Sequence, residues 1–160
     1  MIYTRALPLR SIIDKRHLLC VKPKDIIRKA ACQMTEHKTG AAVVFDEYWK
    51  LVGILTERDI VEKTVGVSRN VDETTVEEIM SPNPITIPVE SSVDLALSIM
   101  TCNGFRHLPV MCGRRVEGII DIRDLYDVME DILSSKIKQN EELLAFAYGS
   151  SYSVNFSDIR

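Results

Sequence analysis

The chain states one pattern twice. Gly53-Ile54-Leu55-Thr56-Glu57-Arg58-Asp59-Ile60 returns 65 residues later as Gly118-Ile119-Ile120-Asp121-Ile122-Arg123-Asp124-Leu125. Glycine, arginine and aspartate keep their spacing, and apolar residues flank them in both copies. Self-similarity of this kind means two copies of one supersecondary unit packed on each other. A lone unit of about 55 residues could bury only a marginal core, so each copy needs the other. Function is therefore expected at the pseudo-symmetric cleft between the copies, not in a single catalytic motif.

The pattern around each copy has a common order. Ser11-Ile12-Ile13 reads as a helical turn in a lead-in, and His17 to Val21 as a short strand ending before Pro23. From Asp25, apolar side chains at Ile26, Ile27, Ala30, Ala31 and Met34 mark one face of a helix. Ala41 to Phe45 is a short, β-branched apolar run, the signature of a buried strand. Leu51 to Leu55 returns beside it, and Thr56 opens a helix toward Val65. The second copy predicts a strand at Ile85-Thr86-Ile87, a helix from Ser92 ended by Asn103-Gly104, strands at Leu108–Met111 and Val116–Ile120, and a helix from Asp121 that continues to Phe146. Each unit reads β-α-β-β-α. The fold class is α+β: two such repeats packed through their sheets with pseudo-two-fold symmetry.

The organisation expected is a lead-in over 1–17, a first repeat over 18–70, a linker over 71–84, a second repeat over 85–135, and a helical extension with a loose tail over 136–160. Ser81-Pro82-Asn83-Pro84 is a strong breaker within the joining segment, and Thr75 to Met80 reads as one more short helix. Gly149 to Ser153 reads as tail.

Charge and composition exclude several functions. The formal charge is −3, which favours neither nucleic acid nor an anionic membrane. No apolar run reaches the roughly 18 residues of a membrane helix. Met1 to Arg10 lacks the apolar stretch of a signal peptide, so a cytoplasmic location is expected. Cys20, Cys32, Cys102 and Cys112 form no C-x-x-C pair and are read as buried, reduced thiols. No phosphate-binding glycine loop or nucleophile elbow is present, and His17, His37 and His107 lack metal-ligand spacing. The chain is not expected to be an enzyme, nor to hold a metal or a catalytic cofactor.

The chain resembles a tandem pair of cystathionine-β-synthase (CBS) domains, often called a Bateman module. The resemblance covers roughly Leu18 to Leu133. It rests on the β-α-β-β-α order, the doubled G-h-h-x-x-R-D segment, the Phe105-Arg106-His107-Leu108-Pro109-Val110 run and the Ile79-Met80-Ser81-Pro82 joint. It implies a regulatory module that binds adenine nucleotides such as AMP or ATP, or related adenosyl ligands such as NAD or S-adenosylmethionine, in clefts between the repeats. It also implies energy sensing, pairing into a homodimer and modulation of a partner protein.

Carried residue by residue, the resemblance gives Thr56 and Asp59 the nucleotide motif of a hydroxyl residue followed three positions later by aspartate. Thr56 stands where a strand turns into a helix, so backbone N–H groups there could receive an anion. Asp59 could accept two hydrogen bonds from a ribose diol, and Arg58 could reach a phosphate. Thr-x-x-Asp is also close to a capping box, which needs no ligand. Asp121 departs from the hydroxyl expected in the second copy. It caps a helix equally well but would repel phosphate, so the clefts are expected to be unequal, with Arg123 and Asp124 serving the weaker one.

Arg106 and His107 are further phosphate candidates. Gly40, Ala41 and Ala42 would leave room for a flat base, Ile87 and Pro88 would cover adenine, and Lys22 could add a phosphate contact. Met34, Met100 and Met129 read as core, the glutamates at 57, 62 and 73–78 as solvated, and Trp49 as an exposed hairpin residue. The alternative reading is a module without ligand that dimerises and scaffolds a partner.

Overall fold

The computed structural model describes residues 7–13 and 18–148. The chain divides into two compact units, Met1–Ile122 and Arg123–Arg160. His17 and the tail from Gly149 lie outside the described residues.

The first unit holds both repeats. Strand β1 (Cys20–Val21) leads to α1 (Ile27–Glu36), β2 (Ala41–Phe45), β3 (Leu51–Thr56) and α2 (Glu57–Lys63). A short α3 (Val76–Ile79) and β4 (Ser81–Pro82) join the repeats. The second repeat repeats the order as β5 (Ile87–Pro88), α4 (Val93–Asn103), β6 (His107–Cys112) and β7 (Arg115–Asp121). Helix α5 (Ile122–Tyr148) starts at the last residue of this unit and forms the described part of the other. The architecture is the α+β arrangement expected.

Two sheets result, ordered β1-β2-β3-β4 and β5-β6-β7. In each, the first strand is parallel to the next and the following pair is an antiparallel hairpin. The register matches across the repeats: Ala41 faces Thr56 in one hairpin, and His107 faces Asp121 in the other. The first core gathers Val21, Ile27, Ala30, Met34, Ala42, Val44 and Leu55 together with Val76 and Ile79 of α3. Helix α1 contributes Ile27, Ala30 and Met34, one face at helical spacing.

Gly53 is needed for close approach. A Cβ built there would stand 2.4 Å from Sδ of Met80, below any ordinary contact. The glycine of the repeated motif thus lets the joint at Met80-Ser81-Pro82 lie against β3, where β4 adds a fourth strand with Gly53 facing Pro82 and Ile54 facing Ser81.

The joining segments are exchanged. Linker residues close the start of α1: Ile27 N–H donates to Thr74 O (3.0 Å) and Val76 N–H to Asp25 O (2.9 Å). The lead-in does the same for α4: Leu9 N–H donates to Ser91 O (2.8 Å) and Val93 N–H to Leu7 O (3.0 Å). Leu9 is fully buried.

Several expectations need correction. The second repeat's first strand is Ile87–Pro88, not Ile85-Thr86-Ile87, and Ile85 is exposed. Pro84 has no N–H to give a ladder, and Asn83 turns the chain at a φ of 47° just before it. Cys20, Cys32 and Cys102 are exposed and Cys112 is half-buried, contrary to the buried reading. Cys20 alternates with buried Val21 along its strand, and Cys32 lies off the α1 face that Ile27, Ala30 and Met34 bury. Met34 and Met100 are in the core, but Met129 on α5 is 38% exposed. Trp49 stands in the β2–β3 turn at a φ of 59° and 77% exposed, as expected for a hairpin tip.

Candidate functional site

Residues from both repeats line a cavity of about 490 Å³. That size suits a nucleoside-like ligand. The end of β3 supplies Ile54 and Thr56, and α2 supplies Arg58, Asp59, Glu62 and Lys63. The far wall comes from Ser81 to Ile85 and from Gly104 to His107, where α4 ends and β6 begins. Gly104 sits at a φ of 70° as the C-cap of α4, the left-handed turn that releases the chain into this wall.

Thr56 and Asp59 form a full capping box. Asp59 N–H donates to Thr56 Oγ1 (3.2 Å), and Thr56 N–H donates back to Asp59 Oδ2 (2.9 Å). The Thr56 hydroxyl also donates to Oδ2 at 2.6 Å. The other oxygen, Oδ1, lies 2.6 Å from Lys63 Nζ and accepts from Ser81 Oγ at 3.4 Å. Asp59 is 7% exposed, a buried carboxylate held in one orientation from several sides.

The anion cradle expected at the start of α2 is already partly used. Glu57 N–H donates to Gly40 O (3.0 Å) and Asp59 N–H to Thr56. The first turn also carries Glu57 and Asp59, which disfavour a second anion. The cations are matched as well. Arg58 Nε donates to Glu62 at 2.7 Å, and that bond holds the guanidinium further above its ordinary pKa. Arg106 donates across the repeats to Glu57 at 3.1 Å. Arg58, Lys63 and Arg106 thus each have a carboxylate within 3.1 Å.

The second copy uses its odd carboxylate. Asp121 Oδ2 lies 3.2 Å from Nε2 of His107, directly across the β6–β7 hairpin. Gly40 comes close to the same imidazole: a Cβ there would stand 3.1 Å from Nε2. Asp121 therefore replaces a hydroxyl where a histidine faces it.

Of the residues expected to contact a ligand, Thr56, Arg58, Asp59, Arg106 and His107 line the cavity. Gly40, Ala41, Ala42, Lys22, Ile87, Pro88 and Asp121 are not among its lining residues. Ala41 and Ala42 are fully buried in β2, and Ile87 is buried in β5. Lys22 is exposed, with its N–H on Asp25 (2.8 Å). Arg123 and Asp124 are exposed in the first turn of α5, in the second unit. Lys63, Ser81, Ile85 and Phe105 were missed. Lys63 was within reach of the sequence, since it stands four residues after Asp59 on one helix face. Ser81 was not, because its place depends on β4 pairing with β3. No group of three or more metal-ligating side chains occurs among the described residues, and no helix there is long and apolar enough to cross a membrane.

Residues 9–66 and 76–131 each match the model of the CBS domain. The chain belongs to the CBS domain family. This CBS pair is 41% identical, over 113 residues, to an uncharacterized 17.7 kDa protein of Acidianus ambivalens, covering 70% of this chain and 67% of that one. It is 32% identical over 117 residues to the uncharacterized protein MK0525 of Methanopyrus kandleri, covering 72% of this chain and 60% of that one. Among solved structures, the CBS domain pair of protein MJ0100, in complex with 5-methylthioadenosine and S-adenosyl-L-methionine, superposes with a TM-score of 0.69 at 28% identity. The match covers 77% of this CBS pair and 99% of that chain.

Proposed function

We propose that this CBS pair is a regulatory module that takes an adenosyl ligand in the cavity beside Thr56 and Asp59. Its occupancy would be passed to a partner protein. The observation that carries the reading is the buried, pre-oriented Asp59 carboxylate at the edge of a cavity of about 490 Å³. Oδ1 is the oxygen a ribose diol would reach. Ser81 holds it only at 3.4 Å, and Lys63 can swing away on its flexible stem. Ile54, Ile85 and Phe105 supply apolar surface for a base.

The charge balance narrows the ligand. A triphosphate would have to take Arg58 from Glu62 and Arg106 from Glu57, leaving carboxylates beside the new anion. A neutral or cationic adenosyl compound avoids that exchange. 5-Methylthioadenosine and S-adenosylmethionine fit better than ATP, with AMP between them. The complex of the MJ0100 CBS pair with two such compounds supports this class of ligand.

Signalling requires the ligand to bind two arrangements of the module unequally. The Arg106–Glu57 contact joins the two repeats, and its Arg106 lines the cavity. It is the element an entering ligand would disturb first.

Thermal denaturation with each ligand tests the reading. A bound ligand raises Tm with the logarithm of its concentration. The expected order of stabilisation is 5-methylthioadenosine or S-adenosylmethionine, then AMP, then ATP. No shift with any adenosyl compound would favour the module as a scaffold without ligand. ATP as the strongest would refute the charge argument.

A further inference from the structure

A second cavity, of about 640 Å³, lies where the two hairpin turns come together, at the ends of the sheets away from Thr56 and Asp121. Both repeats line it, and it shares no lining residue with the cavity beside Asp59. Cys20 reaches it because Val21, next along β1, turns into the core. Cys112 reaches it from the end of β6.

Its charge is of one sign. In the first cavity each cation has a carboxylate within 3.1 Å. Here the charged lining residues are Arg114 and Arg115, and no carboxylate is among the lining residues. Arg115 donates to buried Glu117 at 2.6 Å, but Arg114 has no carboxylate partner among the described residues. A third guanidinium, that of Arg10, itself paired with Glu90, comes within 3.9 Å of Cys112 Sγ. The chain as a whole carries −3, so this is a local excess of positive charge.

The opposite wall is aromatic. The rings of Phe45 and Trp49 lie 5.9 Å apart at 49°. Trp49 holds a φ of 59°, a left-handed conformation that favours glycine, and the β6–β7 turn does use a glycine, Gly113, at a φ of 60°. Backbone strain of this kind persists where the surroundings fix it, and it clusters at ligand sites. The fixing is done by Asp46: Oδ1 accepts from the N–H of Tyr48 (2.9 Å) and of Lys50 (2.8 Å), and the carbonyl accepts from Trp49 N–H (3.1 Å). The indole is thus held in place while 77% exposed.

We propose that this cavity binds a small organic anion with a planar aromatic body, its carboxylate or phosphate on Arg114 and its ring against Trp49. A planar guanidinium fork suits either head group, and the indole face suits the ring. The volume is that of a site for a ligand of several rings. The inference is independent of adenosyl binding beside Asp59.

Trp49 is the single tryptophan, so its fluorescence reports on occupancy. FMN is titrated against riboflavin, and 4-nitrobenzoate against 4-nitrobenzamide; each neutral compound keeps the ring and lacks the charge. At least one anion should quench Trp49 saturably and bind about tenfold or more tightly than its neutral counterpart. Which anion does so distinguishes a phosphate from a carboxylate head group. The bound anion should also slow alkylation of Cys20 and Cys112 by iodoacetamide, read by peptide mass spectrometry, and leave the exposed Cys32 and Cys102 unchanged. Arg114→Gln should remove the preference for the anion. Trp49→Gly, which suits the turn's φ, should abolish protection of the two thiols. Circular dichroism should be unchanged in both variants, because both side chains are exposed. Several results would overturn the proposal: no saturable quenching by either anion, equal affinity for the neutral counterparts, or quenching that leaves Cys20 and Cys112 unprotected. Full preference for the anion in Arg114→Gln, or full protection in Trp49→Gly, would overturn it as well. Thermal shifts with 5-methylthioadenosine on the same variants report separately on the first cavity.

Discussion

Asp59→Ala probes the cap and the ligand site together, and the structure separates the two effects. Without ligand, the variant loses the acceptor for Thr56 N–H and Thr56 Oγ1 and the contact with Lys63. Thr56 still caps the residue-59 N–H, so what is lost is the reciprocal half of the capping box, about 1 kcal/mol for the hydrogen bonds removed. The Lys63 side chain is 43% exposed, so its contact with Asp59 is screened and contributes about 0.5–1 kcal/mol. Together these lower stability by about 1.5–2 kcal/mol, or Tm by about 3–8 °C for a chain of this size. Asp59→Asn keeps a carbonyl oxygen for Thr56 N–H and loses the charge, so its Tm should fall between wild type and alanine. The assay is thermal denaturation by circular dichroism, with and without 5-methylthioadenosine. A ligand at 100 times its Kd adds about 2.7 kcal/mol to a chain that binds it. That rise should be largely lost in both variants. A Tm for Asp59→Ala within about 1 °C of wild type would show that the capping box contributes nothing. A full ligand-induced rise in a variant of lowered Tm would show that the ribose is held elsewhere.

Gly53→Ala should destabilise by about 1–3 kcal/mol through overlap with Met80, and adding Met80→Ala should recover most of it in chemical denaturation. The Glu78 carboxyl is held below its ordinary pKa first by the N–H of Thr75 and then by its hydroxyl. Its stabilising contribution is therefore present above the ordinary carboxylate pKa and lost as pH falls through the lowered value. The stability gap between wild type and Glu78→Gln should close over that acidic window, and a constant gap would argue against the cap. Trp49, the single tryptophan, should emit as a solvent-exposed indole and be quenched by iodide without denaturant. Strong protection would mean that the β2–β3 turn is covered in solution.

Most of the fold was legible because local signals agreed with one another. The doubled glycine-arginine-aspartate segment, the apolar runs and the cap residues Thr56 and Ser92 all pointed to the same elements. The errors fell where tertiary pairing overrode local chemistry. Ser81-Pro82 reads as a breaker, yet it forms an edge strand, a place where proline is tolerated. Its pairing then brings Ser81 to Asp59, which no spacing rule could show. Ile85 lost its strand to Pro84 and took a place on the cavity wall instead. The cysteines were misjudged because an apolar neighbourhood in sequence does not say which face a residue takes. In the site, the motif residues were visible but their partners were not. Arg106 with Glu57, and His107 with Asp121, join positions that only the folded repeats bring together.

The exchanged segments bear on how the chain is made. The first core contains Val76 and Ile79, which emerge from the ribosome after the first repeat has been synthesised. The second repeat waits in the other direction: Leu9 and its neighbours are made early but find their partners only when Val89 to Val93 appear. Neither repeat is complete on its own stretch of chain. Domains commonly fold as units during synthesis, N-terminal first, and here the first core can close only once Ile79 has emerged. The N-terminal turn at Leu9 must stay uncommitted for some 80 residues, so the second repeat is expected to complete its fold last, around a segment made first.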